Sequence, residues 1–263
     1  MPVTIHDLAR FKSERRRFVM LTAYDYPTAQ ILDEAGIPVL LVGDSLANVI
    51  LGYDTTLPVT MEEMLHHTKA VARGTTNALI VGDMPFASYQ ISTEEAIRNA
   101  TRFLKEGGAH AVKVEGAQTE LTSALVERGI PVMGHLGLTP QSVHAMGGYR
   151  VQGRTEEAAD RLLQDAHNLE KAGVFSLVLE GIPTGVAKTI TESMTAPTIG
   201  IGAGPHCDAQ VLVITDLLGF GSGKYPKFVK PYANLREQIL EAVGAFRADV
   251  VAGTFPDPDH SYS

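Results

Sequence analysis

Eight short, almost wholly apolar segments alternate along this chain with stretches that have the residue spacing of helices. Because the segments show no polar alternation, we expect parallel strands that are covered on both faces. Eight strand signals and eight helix signals in 263 residues favour a closed (β/α)8 TIM barrel of the α/β class, with an open doubly wound sheet as the alternative. The predicted strands are Phe18–Thr22, Val39–Val42, Ala78–Val81, Ala111–Val114, Pro131–Met133, Leu177–Leu179, Pro197–Ile201 and Val211–Thr215.

Three of the intervening stretches carry distinct helix signals. Two begin with Ser or Thr followed three residues later by Glu, which is the spacing of a capping box. They predict helices at Met61–Arg73 and Thr93–Lys105. The third has apolar residues at helical spacing and stops before a glycine, and it predicts a helix at Thr155–Ala172.

The chain shows no linker and no low-complexity tract, so we expect residues 1–263 to form a single barrel domain. An apolar stripe predicts a final helix at residues 231–251. This helix either closes the barrel wall or packs in part on a neighbouring subunit. The tail at residues 255–263 is rich in Pro and Asp, and we expect it to be loosely ordered.

The composition limits which kinds of partner and which cellular compartment suit this chain. A net charge of -8 disfavours nucleic acid as a partner, because such a surface repels polyanions. Cys207 is the only cysteine, so no internal disulfide is possible, which suits a reducing cytoplasm. The first residues lack the pattern of a secretory signal, and no apolar run reaches the roughly 18 residues of a membrane span. We therefore expect a cytoplasmic protein without a membrane partner.

Acidic residues end four of the predicted strands. They are Asp44, Asp83, Glu115 and Glu180, on the second, third, fourth and sixth strands. For one such residue alone, a structural role as a helix cap or in a loop salt bridge explains it as well as a functional role does. Four at the same end of a barrel, where barrel enzymes place their chemistry, predict a shared active site. Unpaired buried charge is strongly disfavoured, so these carboxylates imply a bound cation, bound protons, or both.

Three of these acids, Asp44, Asp83 and Glu115, come from consecutive strands. Neighbouring strands lie about 4.8 Å apart, so the three carboxylates can converge on one point. Hard oxygen ligands without clustered Cys or His favour Mg²⁺ over zinc. Magnesium takes few protein carboxylates, which leaves coordination positions for a chelating substrate.

Lys113 lies two residues before Glu115 and therefore shares its face of the strand. It is interpreted either as a cation that anchors an acidic substrate or as one half of a structural ion pair. A Schiff-base role is disfavoured, because surrounding carboxylates would keep the amine protonated. Ser45 follows Asp44 and either hydrogen-bonds a substrate carboxylate or only caps a helix.

Glu180 lies across the barrel mouth from the other three acids, and it is the best candidate for a general base. The alternative is a salt-bridge partner. His135 follows the fifth predicted strand as a secondary candidate, either a hydrogen-bond donor to substrate or a structural wall residue.

Several longer motifs together resemble one known family, the ketopantoate hydroxymethyltransferases. Any one motif is weak, but their combination is specific and spans roughly Met1 to Gly253. The motifs are Leu21–Tyr26, Leu41–Leu46, Thr56–Thr60, Val112–Gly116, Gly134–Ser142, Gly147–Arg154 and Gly200–Gly204.

The resemblance implies an activity, cofactors and partners. The implied reaction moves a hydroxymethyl group from 5,10-methylenetetrahydrofolate to 3-methyl-2-oxobutanoate, through a Mg²⁺-stabilised enolate. The product is ketopantoate, a precursor of pantothenate and coenzyme A. The implied partners are the oxo acid, the folate co-substrate and further copies of the chain in a homodecamer.

The resemblance also implies roles for individual residues. Asp44, Asp83 and Glu115 would form the metal site, and Glu180 would be the proton acceptor. The oxo acid would contact Asp44, Asp83 and two further residues, Ser45 and Lys113.

Two other functions remain as alternatives. The first is a Mg²⁺-dependent α-oxo-acid lyase or mutase of the isocitrate-lyase type, although the Lys-Lys-Cys-Gly-His signature of that family is absent. The second is a non-catalytic barrel that binds a metabolite or a partner. Several acids around an inward lysine argue against it.

Overall fold

Eight parallel strands close into a barrel in sequence order. This finding confirms the (β/α)8 class and excludes the open sheet. The strands are β1 (Phe18–Thr22), β2 (Val39–Val42), β3 (Leu79–Asp83), β4 (Ala111–Glu115), β5 (Val132–Gly137), β6 (Ser176–Glu180), β7 (Thr198–Ile201) and β8 (Ala209–Leu212). The structure is a computed structural model that describes residues 2–221, 223 and 225–262. Met1 and Ser263, which belong to the predicted domain and tail, lie outside the described residues.

Helices connect consecutive strands from β1 to β7, whereas residues 202–208 join β7 to β8 without a helix. The three helices predicted between strands are present with small shifts at their ends. Thr60 caps the first of these three, α4 (Met61–Gly74), by a complete capping box with Glu63. The predicted helix at 93–105 ends as an α-helix at Arg102 and continues as a π-helical turn at Phe103–Gly107. The helices are α1 (Ile5–Ser13), α2 (Tyr26–Glu34), α3 (Leu46–Val49), α4 (Met61–Gly74), α5 (Thr93–Arg102), α6 (Thr119–Val126), α7 (Glu156–Lys171), α8 (Thr184–Ser193), α9 (Ile214–Leu217) and α10 (Leu235–Ala252).

The last strand lies two to three residues before its predicted position. The prediction was Val211–Thr215, but β8 is Ala209–Leu212 and Thr215 lies in α9. Pairing decides the register, because Ala209 is aligned both with Phe18 of β1 and with β7. Gln210, which faces outward and is exposed, interrupts the apolar run and concealed the start of the strand.

The barrel interior is filled by apolar side chains, and α1 packs against them at the N-terminal end. Leu8 and Phe11 of α1 belong to the same buried cluster as Met20, Leu41 and Val81 from the strands. Burying side chains of this size contributes roughly 1.5–3 kcal/mol each. Helix α1 therefore closes the end of the barrel that is opposite to the strand ends bearing the acids.

The period of two along each strand places polar residues above this apolar layer. Inward-facing apolar residues are followed two positions later by inward-facing polar ones. The pairs are Val81 and Asp83 on β3, Ala111 and Lys113 on β4, Met133 and His135 on β5, and Val178 and Glu180 on β6. The same alternation that builds the core thus positions charged groups at the C-terminal end of the barrel.

The chain divides into two compact units between Val213 and Ile214. The second contains α9 and α10, and no residue of α10 is buried. Within this unit the ring of Phe255 lies 5.4 Å from that of Phe246, and Pro258–His260 form a short 3-10 turn. The single domain and the loosely ordered tail stay predictions. Within the described ranges, none of the helices has the length and apolar character that a bilayer crossing requires.

Candidate active site

A cavity of about 200 Å³ opens at the C-terminal end of the barrel, within the first unit. One side is apolar and includes Met20, Leu41, Val178, Ile201 and Val211. The other side is polar. It contains all seven residues that the sequence singled out, namely Asp44, Ser45, Asp83, Lys113, Glu115, His135 and Glu180. The chain therefore brings these residues from five different strand ends into one space.

Lys113 makes the closest charge contact in the cavity. Its Nζ lies 2.9 Å from Asp83 Oδ1 and 3.9 Å from Glu115 Oε1. The two strands set the first contact, since Asp83 and Lys113 are aligned partners on β3 and β4. Burial opposes a charge on Lys113, but the carboxylates of Asp83, Glu115 and Asp44 outweigh it and raise the pKa of the amine. Lys113 is consequently a fixed cation beneath the acids.

The carboxylates of the cavity lie close together and concentrate negative charge there. Asp44 is 4% exposed, and its main-chain N–H donates to Asp83 Oδ2 at 3.1 Å. Burial, together with the carboxylates of Asp83 and Glu115, holds the pKa of Asp44 well above its usual range. Burial also raises the pKa of Asp83. One lysine does not balance three carboxylates, so the cavity favours binding of a further cation or of protons.

His135 lies between two acids with different exposure. Its Nε2 is 3.2 Å from Glu180 Oε2, and its Nδ1 is 3.5 Å from Glu115 Oε1 and 3.3 Å from Lys113 Nζ. Burial and the Lys113 ammonium lower the pKa of His135, and the two carboxylates outweigh them and raise it to about 9. Glu180 keeps 17% of its side chain exposed, so it is the acid that can meet a substrate from the mouth.

Ser45 occupies the N-cap position of α3 but makes no side-chain cap hydrogen bond. Its Oγ instead lies 2.8 Å from the hydroxyl of Tyr24, at the end of β1. The helix-cap alternative for Ser45 is therefore wrong, and the hydroxyl is presented to the cavity.

Gln141, Tyr89 and Thr56 are among the polar residues at this site that the sequence did not single out. Gln141 is buried and donates hydrogen bonds to both Asp44 and Glu115. Tyr89 donates to Gln141. Thr56 lines the cavity, and its buried hydroxyl has no hydrogen-bond partner among the described residues. None of the three carries a charge, and none follows a predicted strand directly as the acids do, although Gln141 and Thr56 both lie in recognised motifs.

The donor set suits a hard cation. No group of three His, Cys, Asp or Glu side chains in the described ranges is already gathered around one metal position. Lys113 contacts Asp83, and Gln141 contacts Asp44 and Glu115. Mg²⁺ needs only one or two protein carboxylates besides waters and substrate oxygens. Asp44 Oδ1 receives no hydrogen bond from a described residue, whereas Glu115 Oε1 lies 3.5 Å from His135 Nδ1 and 3.9 Å from Lys113 Nζ.

A model of the ketopantoate hydroxymethyltransferase family matches residues 2–258. The chain belongs to this family. It is 59% identical over 263 residues to 3-methyl-2-oxobutanoate hydroxymethyltransferase of Thermobifida fusca (strain YX), covering 99% of this chain and 94% of that protein. It is 55% identical over 258 residues to the protein of the same name from Thermoanaerobacter sp. (strain X514), with 97% and 94% coverage. The resemblance read from the motifs is confirmed.

Two solved structures illustrate the similarity of the fold. Phosphonopyruvate hydrolase has a TM-score of 0.62 at 12% identity, covering 99% of this chain and 92% of that chain. A 2,3-dimethylmalate lyase, a member of the PEP mutase/isocitrate lyase superfamily, has a TM-score of 0.59 at 16% identity, with the same coverage. At such low identity these likenesses show the barrel fold alone. Membership in the hydroxymethyltransferase family is therefore better supported than the lyase or mutase alternative.

Proposed function

We propose that this chain transfers a hydroxymethyl group from 5,10-methylenetetrahydrofolate to 3-methyl-2-oxobutanoate and so forms ketopantoate, in the synthesis of pantothenate. The observation that carries the proposal is the two-sided cavity, which combines a buried lysine and four acids on one side with an apolar wall on the other. Family membership supports the reaction, since the relatives carry the corresponding name.

The two sides of the cavity match the two ends of the oxo acid. Lys113 is a buried cation that attracts a carboxylate, and the Ser45 hydroxyl can donate a hydrogen bond to the same group. The apolar wall of Met20, Val178 and Val211 suits a branched alkyl group, because burying methyl groups there removes apolar surface from water. A small branched oxo acid therefore has one favourable orientation.

The acids on β2, β3 and β4 would hold Mg²⁺. Asp44 and Asp83 are the proposed direct ligands and also border the oxo acid, and Glu115 binds directly or through water. When bound, the metal would supply Lewis acidity toward the carboxylate and keto oxygens of the substrate.

Glu180 would act as the general base. It is the partly exposed acid of the cavity, and His135 orients its carboxylate through the 3.2 Å contact. Glu180 removes the proton on C3 of the oxo acid, and the electron pair of that C–H bond moves into the enolate. An imidazolium at His135 beside Glu180 balances part of the negative charge.

The one-carbon step then follows from the co-substrate. C3 of the enolate forms a bond to the methylene carbon of the folate as the bond from that carbon to one folate nitrogen breaks. A water oxygen then bonds to the same carbon as its bond to the second folate nitrogen breaks. The two nitrogens take up the proton removed from C3 and one proton from water, and tetrahydrofolate leaves. The folate provides the one-carbon chemistry, while the protein provides orientation and electrostatics.

The decisive experiment is a product assay. Purified protein is incubated with 3-methyl-2-oxobutanoate and 5,10-methylenetetrahydrofolate, with Mg²⁺ or with EDTA, and ketopantoate is detected by mass spectrometry. We expect ketopantoate only when both substrates and Mg²⁺ are present. Cleavage of an oxo acid without use of the folate would instead establish the lyase alternative.

We also propose that the chain assembles into a homo-oligomer, a decamer by analogy with the family, in the cytoplasm. The exposed apolar residues of α10 support a contact between copies, since Ile239, Val243 and Phe246 are 42–60% exposed. Native mass spectrometry of the protein and of Phe246→Asp tests this proposal. We expect the wild type to assemble and the variant to dissociate, and a monomeric wild type would contradict it.

A further inference from the structure

Gln141 connects two of the acids through hydrogen bonds. It lies in the short turn at Pro140–Ser142 that follows β5, and it is 5% exposed. Its side-chain Nε2 donates to Asp44 Oδ2 at 3.0 Å, and its main-chain N–H donates to Glu115 Oε2 at 3.0 Å. A single residue after β5 thus holds one oxygen of a carboxylate from β2 and one oxygen of a carboxylate from β4.

The surroundings fix which way the Gln141 amide points. Nε2 also donates to the main-chain oxygen of Met84 at 2.9 Å, and a carbonyl oxygen can only accept. On the other side, Oε1 accepts from the hydroxyl of Tyr89 at 2.7 Å and from the side-chain amide of Gln90 at 3.2 Å. A flipped amide would set its oxygen against the oxygen of Met84, so the NH₂ group is committed to Asp44.

Tyr89 holds both the Gln141 side chain and the main chain of Glu115 through hydrogen bonds. Its hydroxyl accepts from the main-chain N–H of Glu115 at 3.2 Å and donates its one hydrogen to Gln141. Tyr89 and Gln141 therefore hold both ends of Glu115, namely its main chain and one of its carboxylate oxygens. The result is a closed circuit of hydrogen bonds that joins Glu115, Tyr89 and Gln141.

Gln141 holds one carboxylate oxygen of each acid, Asp44 Oδ2 and Glu115 Oε2, and makes no hydrogen bond to the second oxygen of either. No hydrogen bond reaches Asp44 Oδ1 from a described residue, and Glu115 Oε1 lies 3.5 Å from His135 Nδ1 and 3.9 Å from Lys113 Nζ. A carboxylate whose first oxygen is held has little freedom to rotate, so its second oxygen is aimed before a ligand arrives. Hydrogen-bonding partners behind metal ligands have this effect in other proteins.

We infer that Gln141 and Tyr89 are positioning residues that aim Asp44 and Glu115 at Mg²⁺. This inference rests on the metal site of the proposed function. It assigns the two residues no contact with the substrate or the reacting atoms. They act through the two carboxylates, so replacing either residue should change the affinity of the site for the metal.

The test measures metal binding directly. Mg²⁺ affinity is determined by isothermal titration calorimetry, and Mn²⁺ affinity by electron paramagnetic resonance, on Tyr89→Phe and Gln141→Met. Tyr89→Phe removes only the hydroxyl, and Gln141→Met removes both polar ends of the amide at similar volume. We expect each variant to bind either metal about 10- to 100-fold more weakly than the wild type. We also expect saturating Mg²⁺ to restore most of the kcat.

Matched controls separate positioning from general structure. Tyr53→Phe removes a hydroxyl that bonds Glu63 at the surface, and Gln164→Met removes an amide that bonds Asn168 on α7. Both should keep the wild-type affinity. Unchanged metal affinity in folded Tyr89→Phe, whatever its melting temperature, would overturn the inference.

The outcomes also separate this inference from the proposed function. A wild-type protein that binds neither metal would refute the metal site and the inference together. A wild type that binds Mg²⁺ and forms product, beside variants of equal affinity, would refute the positioning role alone. If Gln141→Met does not fold, the smaller change Tyr89→Phe decides the question.

Discussion

The Lys113 amine lies 2.9 Å from the Asp83 carboxylate, and both side chains are almost completely shielded from water. Because the two residues are aligned partners on neighbouring strands, the contact is built into the register of the barrel. Removing one member of such a pair leaves a buried charge without compensation, which is far more harmful than replacing both.

Lys113→Met should therefore lower stability and also weaken binding of the oxo acid. We expect a loss of about 3–5 kcal/mol in the free energy of unfolding at neutral pH, measured by urea denaturation in EDTA. Lys188→Met is the control, because Lys188 is exposed and its ion pair with Glu192 is long, at 3.8 Å. This variant should change stability by less than about 0.5 kcal/mol. Equal stability of the two variants would show that Lys113 is not an essential countercharge.

Glu180→Gln should separate binding from proton transfer. The amide keeps the shape of the side chain but cannot take a proton from C3. We expect the oxo acid to bind with nearly unchanged affinity, and Mg²⁺-dependent deuterium exchange at C3 to slow by roughly 10²- to 10⁴-fold. Proton NMR in deuterated water follows the exchange, with Glu192→Gln on the exposed face of α8 as the control. Normal exchange in Glu180→Gln would end its assignment as the base.

Gly137→Ala should disturb the strand that carries Glu180. Gly137 has a φ of +97°, and a Cβ there would clash with the main-chain oxygen of Glu180. We expect a loss of at least about 1–3 kcal/mol in unfolding free energy and a lower kcat, because β6 must move. Gly36→Ala is a matched control: its φ is +75°, but apart from its chain neighbours no described residue has an atom within 4 Å of the added Cβ. If the two substitutions are equally mild, the close approach at Gly137 is not a constraint.

Asp33→Asn should show a pH-dependent loss of stability far from the cavity. Burial tends to raise the pKa of Asp33, but hydrogen bonds from the main-chain N–H groups of Thr76, Asn77 and Ala78 outweigh it and lower the pKa. A lowered pKa in the folded state adds stability above the unfolded value, and this stability is lost as the pH falls through the folded value.

We therefore expect Asp33→Asn to cost about 1–3 kcal/mol near pH 7 and progressively less as the pH falls below the ordinary aspartate value of about 3.8. Urea denaturation at several pH values measures the difference. Asp160→Asn, on the exposed face of α7, is the control and should change stability by less than about 0.5 kcal/mol near pH 7. A constant difference at all pH values would contradict the role of the charge.

The barrel was predictable because its strands follow simple physics. Strands β1 and β2 match the predicted bounds at every residue, since uninterrupted apolar residues mark strands that are covered on both faces. The position of β8 was wrong because outward-facing Gln210 made the run look shorter at its start. Pairing with β1 and β7 sets that boundary, and the sequence of one segment does not show which strands it pairs with.

The charged residues of the cavity were predictable for a related reason. A carboxylate at a strand end needs a partner, and Lys113 shares a face with Glu115 by the period of two. Gln141 and Tyr89 were not predictable in this way. Both are neutral and lie in loops, and their importance arises only where the loops after β3 and β5 meet. Tyr89 and Gln141 are 52 residues apart in the sequence, so the sequence alone does not show that they are in contact.

Helix α1 seals one end of the barrel with Leu8 and Phe11, so molecules enter the cavity through the other end. On the proposed function, two substrates of very different size would use this one entrance. We would therefore expect the small oxo acid to bind first, because a folate bound above it would block the entrance. Tetrahydrofolate would then leave before the product, so one closed end of the barrel predicts an ordered kinetic mechanism.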